Sequence, residues 1–160
     1  GFIYLMKGLA EERLIGAVGY LSGAQVSYDL TADYVKERKV FGKPLAAYQN
    51  SQFKLAELRT ELDFAQTYVD QCVAAFNAGQ LTAVDAAKAK LVTSELQVKA
   101  ADLGVQLHGG NGYMDEYPIS RQYTDARISP IYAGSSEVMK IIISRDCLGD
   151  DYIPFNTRNF

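Results

Sequence analysis

Apolar residues recur at steps of three and four along three long segments, and that period confines the chain to a helical fold. In the first segment Leu14, Val18, Leu21, Tyr28, Ala32 and Val35 are spaced by three, four or seven positions, with Gln25 at the one skipped step. The second runs through Leu55, Leu58, Leu62, Ala65, Val69, Cys72 and Phe76, and the third through Val84, Ala87, Leu91, Ser94, Val98, Ala101 and Val105. Such spacing puts each set on one helix face and leaves Lys54, Glu57 and Lys88 elsewhere. No strand-like alternation, internal repeat or low-complexity tract competes with it. The expectation is an all-α domain, an up-and-down antiparallel helical bundle over residues 1–149, with residues 150–160 as a tail that packs on a partner or frays.

The residues between the periodic segments agree. Gly42-Lys43-Pro44 breaks the first helix, and Asn50 or Ser51 is placed to cap the second. Gly79 ends the second, and Thr82 followed by Asp85 is placed to cap the third. Gly109-Gly110-Asn111-Gly112 and then Pro118 mark an interruption. A short helix is expected between Ile119 and Ile128, and a last helix capped by Ser135 through Val138, Ile141, Ile142 and Arg145.

Composition narrows the function classes. A net charge of −3, with no sustained run of Lys or Arg, argues against a nucleic-acid surface. The uncharged stretch between Leu14 and Tyr28 is too short for a bilayer and carries Ser22, Gln25 and Ser27, so no membrane insertion is expected. The opening residues lack a basic leader and cleavage site, and the absence of an initiator methionine suggests a fragment or processed product. Cys72 and Cys147 sit in apolar helical patterns and read as reduced packing residues, which favours cytoplasm or an organelle matrix such as that of the mitochondrion. A single histidine with no Cys/His cluster leaves no metal site to propose.

Three motifs carry candidate chemistry. Arg38-Lys39-Val40-Phe41-Gly42 follows the first helix, where a guanidinium offers forked donors to phosphate oxygens, although a cation before a glycine is also ordinary capping. Gln106-Leu107-His108-Gly109-Gly110-Asn111-Gly112-Tyr113 is a glycine-rich helix end. Without a helix beginning at once it is no phosphate loop on its own, and His108, lacking a nearby carboxylate or nucleophile, reads as a packing residue. Tyr132-Ala133-Gly134-Ser135-Ser136-Glu137 supplies an N-cap and an acidic first turn to the last helix.

Together, and in this order, these motifs resemble the C-terminal domain of acyl-CoA dehydrogenases, most nearly the long-chain branch, over about residues 2–148. The resemblance implies FAD as cofactor, held mainly by a neighbouring subunit, with Arg38, Phe41 and Gln49 contacting it. Gln106, Leu107, His108, Gly109 and Gly110 belong to the segment whose backbone approaches the adenosine-diphosphate portion. Ser135, Ser136 and Glu137 fall in the last motif's FAD-contacting stretch. Arg13, Tyr132 and Gly134 are assigned to acyl-CoA. By the same resemblance the whole enzyme self-associates as a homodimer or homotetramer and passes electrons to electron-transfer flavoprotein. Family members add two further domains that supply most flavin and thioester contacts, so the isolated chain is expected to fold but not to dehydrogenate anything.

One departure bears on catalysis. Many members carry the base as a glutamate where this chain has Ala133. Long-chain and isovaleryl members move it to the residue before an arginine early in the domain, which here is Glu12 in Leu9-Ala10-Glu11-Glu12-Arg13-Leu14. Glu12 is therefore the expected base, while Glu11 lies about 100° round the helix and faces elsewhere. Read without the resemblance, the Glu-Glu pair is a complement to the helix dipole. Two other classes stay open at this stage: a catalytically silent helical oligomerisation module, and an acyl-CoA oxidase-like flavoprotein.

Overall fold

A computed structural model describes the backbone of residues 2–152 and the side chains from Gly8 onward. Five helices form: α1 (Phe2–Glu37), α2 (Gln49–Asn77), α3 (Ala83–His108), α4 (Pro118–Ala126) and α5 (Ser136–Leu148). The all-α bundle is observed. Strands β1 (Lys39–Val40) and β2 (Lys43–Pro44) add a hairpin that the sequence pattern did not announce. At its tip Phe41 and Gly42 both have positive φ, 49° and 82°, the backbone that a tight hairpin turn demands. Of the expected tail, 150–152 form a 3-10 turn and 153–160 lie outside the described residues.

Helix ends follow the expected chemistry with one exception. Thr82 caps α3 by accepting from the Asp85 amide at 3.0 Å, and Ser135 caps α5 by accepting from that of Val138. Gly79, at φ 70°, follows the end of α2. Neither Asn50 nor Ser51 caps α2, however. Tyr48 occupies that position with extended backbone and no side-chain cap. A 3-10 turn over Leu45–Ala47 leads the chain in, and Ser51 is already buried inside the helix.

Helices α1 and α3 run parallel as neighbours, with α2 antiparallel to both. Leu14 and Ala17 meet Ala89 and Cys72 at one end, while Leu21 and Ala24 meet Leu96, Ala100, Leu58 and Leu62 in the middle. The period placed the α2 face correctly from Leu58 to Cys72, but Phe76 ends half-exposed. On α1 the buried seam includes Ala17, Tyr20, Ser27 and Thr31, and Val18 falls outside it. Ser27 and Thr31 return their hydroxyls to Gly23 and Ser27 carbonyls one turn back, which satisfies them inside the core. Small residues on both sides let α1 and α3 approach closely. At Gly104 a Cβ would lie 2.4 Å from Ile119 Cδ1 and 2.8 Å from Thr31 Oγ1, so α4 seats its Ile119 where glycine leaves room. Because α3 touches every other helix, it is buried nearly all round rather than along one stripe. Among the described residues no helix is long and apolar enough to cross a membrane.

Candidate functional site

Two groups of motif residues assemble at well-separated stations along α1. On the neighbouring α3, eighteen positions between Lys90, which bonds the turn before α5, and His108, in the wall of the other group's cleft, correspond to about 27 Å of helix at 1.5 Å per residue. The first group lies beyond the C-terminal end of α1. There a cleft of about 420 Å³ is lined by Arg38, Val40, Asn50, Gln106, Gly109 and Gly110, among others. Three segments distant in sequence thus converge: the entry to the hairpin, the first turn of α2 and the end of α3. Leu107 and His108 line the same cleft. Gln49 is exposed at the first position of α2, and Phe41 stands 94% exposed on the hairpin tip.

An aromatic stack fixes the glycine-rich wall of this cleft. The Tyr34 and His108 rings stack at 3.9 Å, and Tyr117 sets its edge against both. Tyr34 donates its hydroxyl to the His108 carbonyl and accepts from the Asn111 amide at 3.0 Å. His108 Nδ1 lies 2.7 Å from the Gly104 carbonyl, a bond it makes as donor. Burial lowers the His108 pKa and this backbone bond opposes the drop, so a neutral packing imidazole is the state the surroundings favour. Gly109 is left-handed at φ 62°, and nothing lies where a side chain at Gly109 or Gly110 would stand. Arg38 makes no ion pair among the described residues. A free guanidinium facing open glycine backbone is a donor set that fits a diphosphate.

The second group surrounds the turn before α5. Tyr132, half exposed, meets the buried Tyr20 ring edge-on with centroids 5.8 Å apart. Burial first, and then a hydrogen bond with Tyr132, push the Tyr20 phenol well above its ordinary pKa. Ala133 is exposed and adopts φ 54°, followed by Gly134 at φ 96°. Ser136 is buried with its hydroxyl unpaired, whereas Glu137 is exposed. The Glu137 backbone amide and the Ser135 hydroxyl hold its carboxyl below the usual range.

Glu12 is exposed on α1, one position from Arg13. Arg13 does not reach into open solvent as its neighbour does. It lines a groove of about 610 Å³ with Ala83, Val84, Ile141 and Ile142, and its Nε is buried without a partner. Burial lowers its pKa, while Glu12 pulls it back up. Glu11 faces another depression, with Phe76, Gly79 and Leu81, so the two glutamates do diverge.

One residue essential to this geometry was not among the candidates read from the sequence. Lys90 on α3 is fully buried and donates to the carbonyls of Ser129 at 2.9 Å and Gly134 at 2.7 Å. Burial lowers its pKa, and nearby Arg13 lowers it further. Lys90 thus ties the 129–134 turn to α3 and lies near enough to Arg13 to feel its charge, and Glu12 is the residue before Arg13 on α1. A lysine inside a helical segment reads as a solvent-facing charge, and only the small residues around it, Ala86, Ala87 and Ala89, hint at burial.

The left-handed alanine yields a stability prediction. An L-residue with this backbone is strained by roughly 1–2 kcal/mol, partly offset by the greater entropy a glycine loses on folding. Ala133→Gly is expected to raise stability by up to about 1 kcal/mol, read by thermal or urea unfolding. A decrease would show that the alanine methyl makes contacts that outweigh the strain.

The family profile described as acyl-CoA dehydrogenase, C-terminal domain, matches residues 1–148. A mitochondrial long-chain specific acyl-CoA dehydrogenase of Sus scrofa is 46% identical over 150 residues, covering 94% of this chain and 35% of that protein. The crystal structure of an acyl-CoA dehydrogenase from Geobacillus kaustophilus is similar at a TM-score of 0.91 and 42% identity, over 92% of this chain and 39% of that one. An acyl-CoA dehydrogenase complexed with FAD, from Bacillus anthracis, is similar at 0.87 and 29% identity, over 92% and 29%. The chain spans about a third of the length of the curated relatives it matches.

Proposed function

The chain belongs to the acyl-CoA dehydrogenase family, whose C-terminal domain it matches over residues 1–148, and from that premise we propose that it supplies the base and part of the FAD site of an enzyme oxidising acyl-CoA to trans-2-enoyl-CoA. The observation that carries this reading is a turn at Ala133 that holds no carboxylate, together with Glu12 exposed on α1 beside the groove-lining Arg13. Abstraction of an α-proton beside a thioester needs a base within hydrogen-bond reach. Glu12 takes that proton, while bound FAD supplies the acceptor for the β-hydride. Tyr132 and Gly134 border the thioester end, and Arg13 contributes a cation to the CoA side.

Arg38, Gln106, Gly109 and Gly110 would hold the cofactor's diphosphate region, with Phe41 and Gln49 beside it. Ser135, Ser136 and Glu137 belong to the second group. Because about 27 Å of α3 separates the two groups, we assign them to different FAD molecules, which makes a dimer or tetramer part of the reading. An apolar groove between α2 and α3, where Phe64 is 75% exposed beside Tyr68 and Val92, supports self-association. Electron-transfer flavoprotein is the proposed acceptor, and the cytoplasm or mitochondrial matrix the proposed compartment. These 160 residues, spanning about a third of the length of the curated relatives, are proposed to be inactive on their own.

Arg38→Ala tests the cofactor half. In the intact protein it is expected to weaken FAD binding by roughly 10- to 10²-fold, since a charge-assisted bond contributes about 1.5–3 kcal/mol. The flavin-to-protein absorbance ratio after purification reads it, and an unchanged ratio would remove Arg38 from the site. A catalytically silent assembly module is the second reading, favoured by the missing carboxylate at 133. It predicts bound flavin that no acyl-CoA reduces.

A further inference from the structure

We propose that Lys90 is a positioning residue that clamps both ends of the 129–134 turn and so sets where Tyr132, Ala133 and Gly134 stand. An ammonium is costly to bury, and a chain needing only to fill that space would be served by methionine. Lys90 is fully buried and forms no ion pair among the described residues. Its acceptors are two backbone carbonyls five positions apart, those of Ser129 and Gly134. The same ammonium lies 6.0 Å from the centroid of the Tyr20 ring, which in turn supports Tyr132. One side chain therefore reaches the turn's two ends directly and its middle through an aromatic ring.

The turn's other ties show what the clamp adds. Ser129 is anchored twice more, its hydroxyl donating to the Ser94 and Ala126 carbonyls. Ile131 and Tyr132 donate to the Ile128 carbonyl, and Ser136 donates to that of Pro130. Ser135 is held by the Val138 and Met139 amides, and at Ala133 and Gly134 the Lys90–Gly134 bond is the hydrogen bond that ties the backbone among the described residues, where Ala133 has φ 54°. A left-handed alanine persists only where its surroundings over-determine it. Lys90 supplies that constraint at the residue before Gly134, where the resemblance places the thioester end.

Amide hydrogen exchange on the 160-residue chain tests the clamp. In Lys90→Met the amides of Ile131, Tyr132 and Ser136 are expected to exchange at least about tenfold faster, while those in the middle of α1 and α2 keep their protection. Lys90→Gln, which retains an N–H donor, is expected to fall between the two, and it carries the comparison should Lys90→Met not fold. Unchanged exchange in the turn, or acceleration shared equally by all helices, would overturn the proposal and make Lys90 a packing residue. A kinetic arm rests on the acyl-CoA dehydrogenase reading. In the intact flavoprotein Lys90→Met is expected to reduce kcat by up to about 10²-fold with KM little changed, the signature of a misplaced contact. A rise in KM alone would overturn the positioning role. Should no acyl-CoA reduce the unsubstituted protein's flavin, the functional reading fails, while the exchange comparison still decides the clamp.

Discussion

Replacing Glu12 by glutamine is expected to slow acyl-CoA-driven flavin reduction by ~10²–10⁴-fold in the intact protein, with FAD content unchanged. That range corresponds to about 3–5 kcal/mol of lost transition-state stabilisation. Glutamine keeps the shape of the side chain and removes its ability to accept a proton. The fold should not register the change, because Glu12 is exposed and forms no ion pair among the described residues. Such surface substitutions usually shift stability by no more than about 0.5 kcal/mol. Glu11→Gln is the matched control. Its side chain turns toward Phe76, Gly79 and Leu81, so the rate should stay at the unsubstituted level. A Glu12→Gln protein that remains within tenfold of the original rate would place the base elsewhere.

The fold's largest single-residue sensitivity is expected in the middle of the bundle. Leu62 is 1% exposed and belongs to the cluster where α1, α2 and α3 meet, with Leu21, Leu58, Leu96 and Ala100. Leu62→Ala removes the methyl groups that fill this junction. The facing Ala24 and Ala100 are too short to close the space left behind. The expected cost is about 2–5 kcal/mol, a large share of the roughly 5–15 kcal/mol that stabilises a typical domain. Urea unfolding of the chain reads the loss as a lower midpoint at unchanged slope. A cost below about 1 kcal/mol would mean that α1 and α3 move inward to refill the cavity.

How far these features could be read from the sequence depended on the kind of signal each leaves. The seam of α2 was visible because leucine, alanine and valine mark it at every turn. That of α1 was partly hidden, because Ser27 and Thr31 lie in the core with their hydroxyls satisfied locally and look like surface residues. Hairpin β1–β2 escaped because its two-residue strands are too short to alternate, although Phe41-Gly42 marks the break. Arg38, Gln106 and the glycines could be chosen as candidates from motif order, yet only the fold shows that they border one cleft. Lys90 left only the faint trace of the small residues around it. Its acceptors are carbonyls contributed by residues 39 and 44 positions away, and no local pattern records a contact of that kind.

Anaerobic mixing of the intact, oxidised flavoprotein with saturated acyl-CoA thioesters of increasing chain length tests the central claim most directly. The account predicts rapid loss of the oxidised-flavin absorbance with at least one chain length, accompanied by formation of the enoyl-CoA. FAD that remains bound and oxidised with every thioester in the series would contradict it, and Ala133 would then mark a lost base rather than one moved to Glu12.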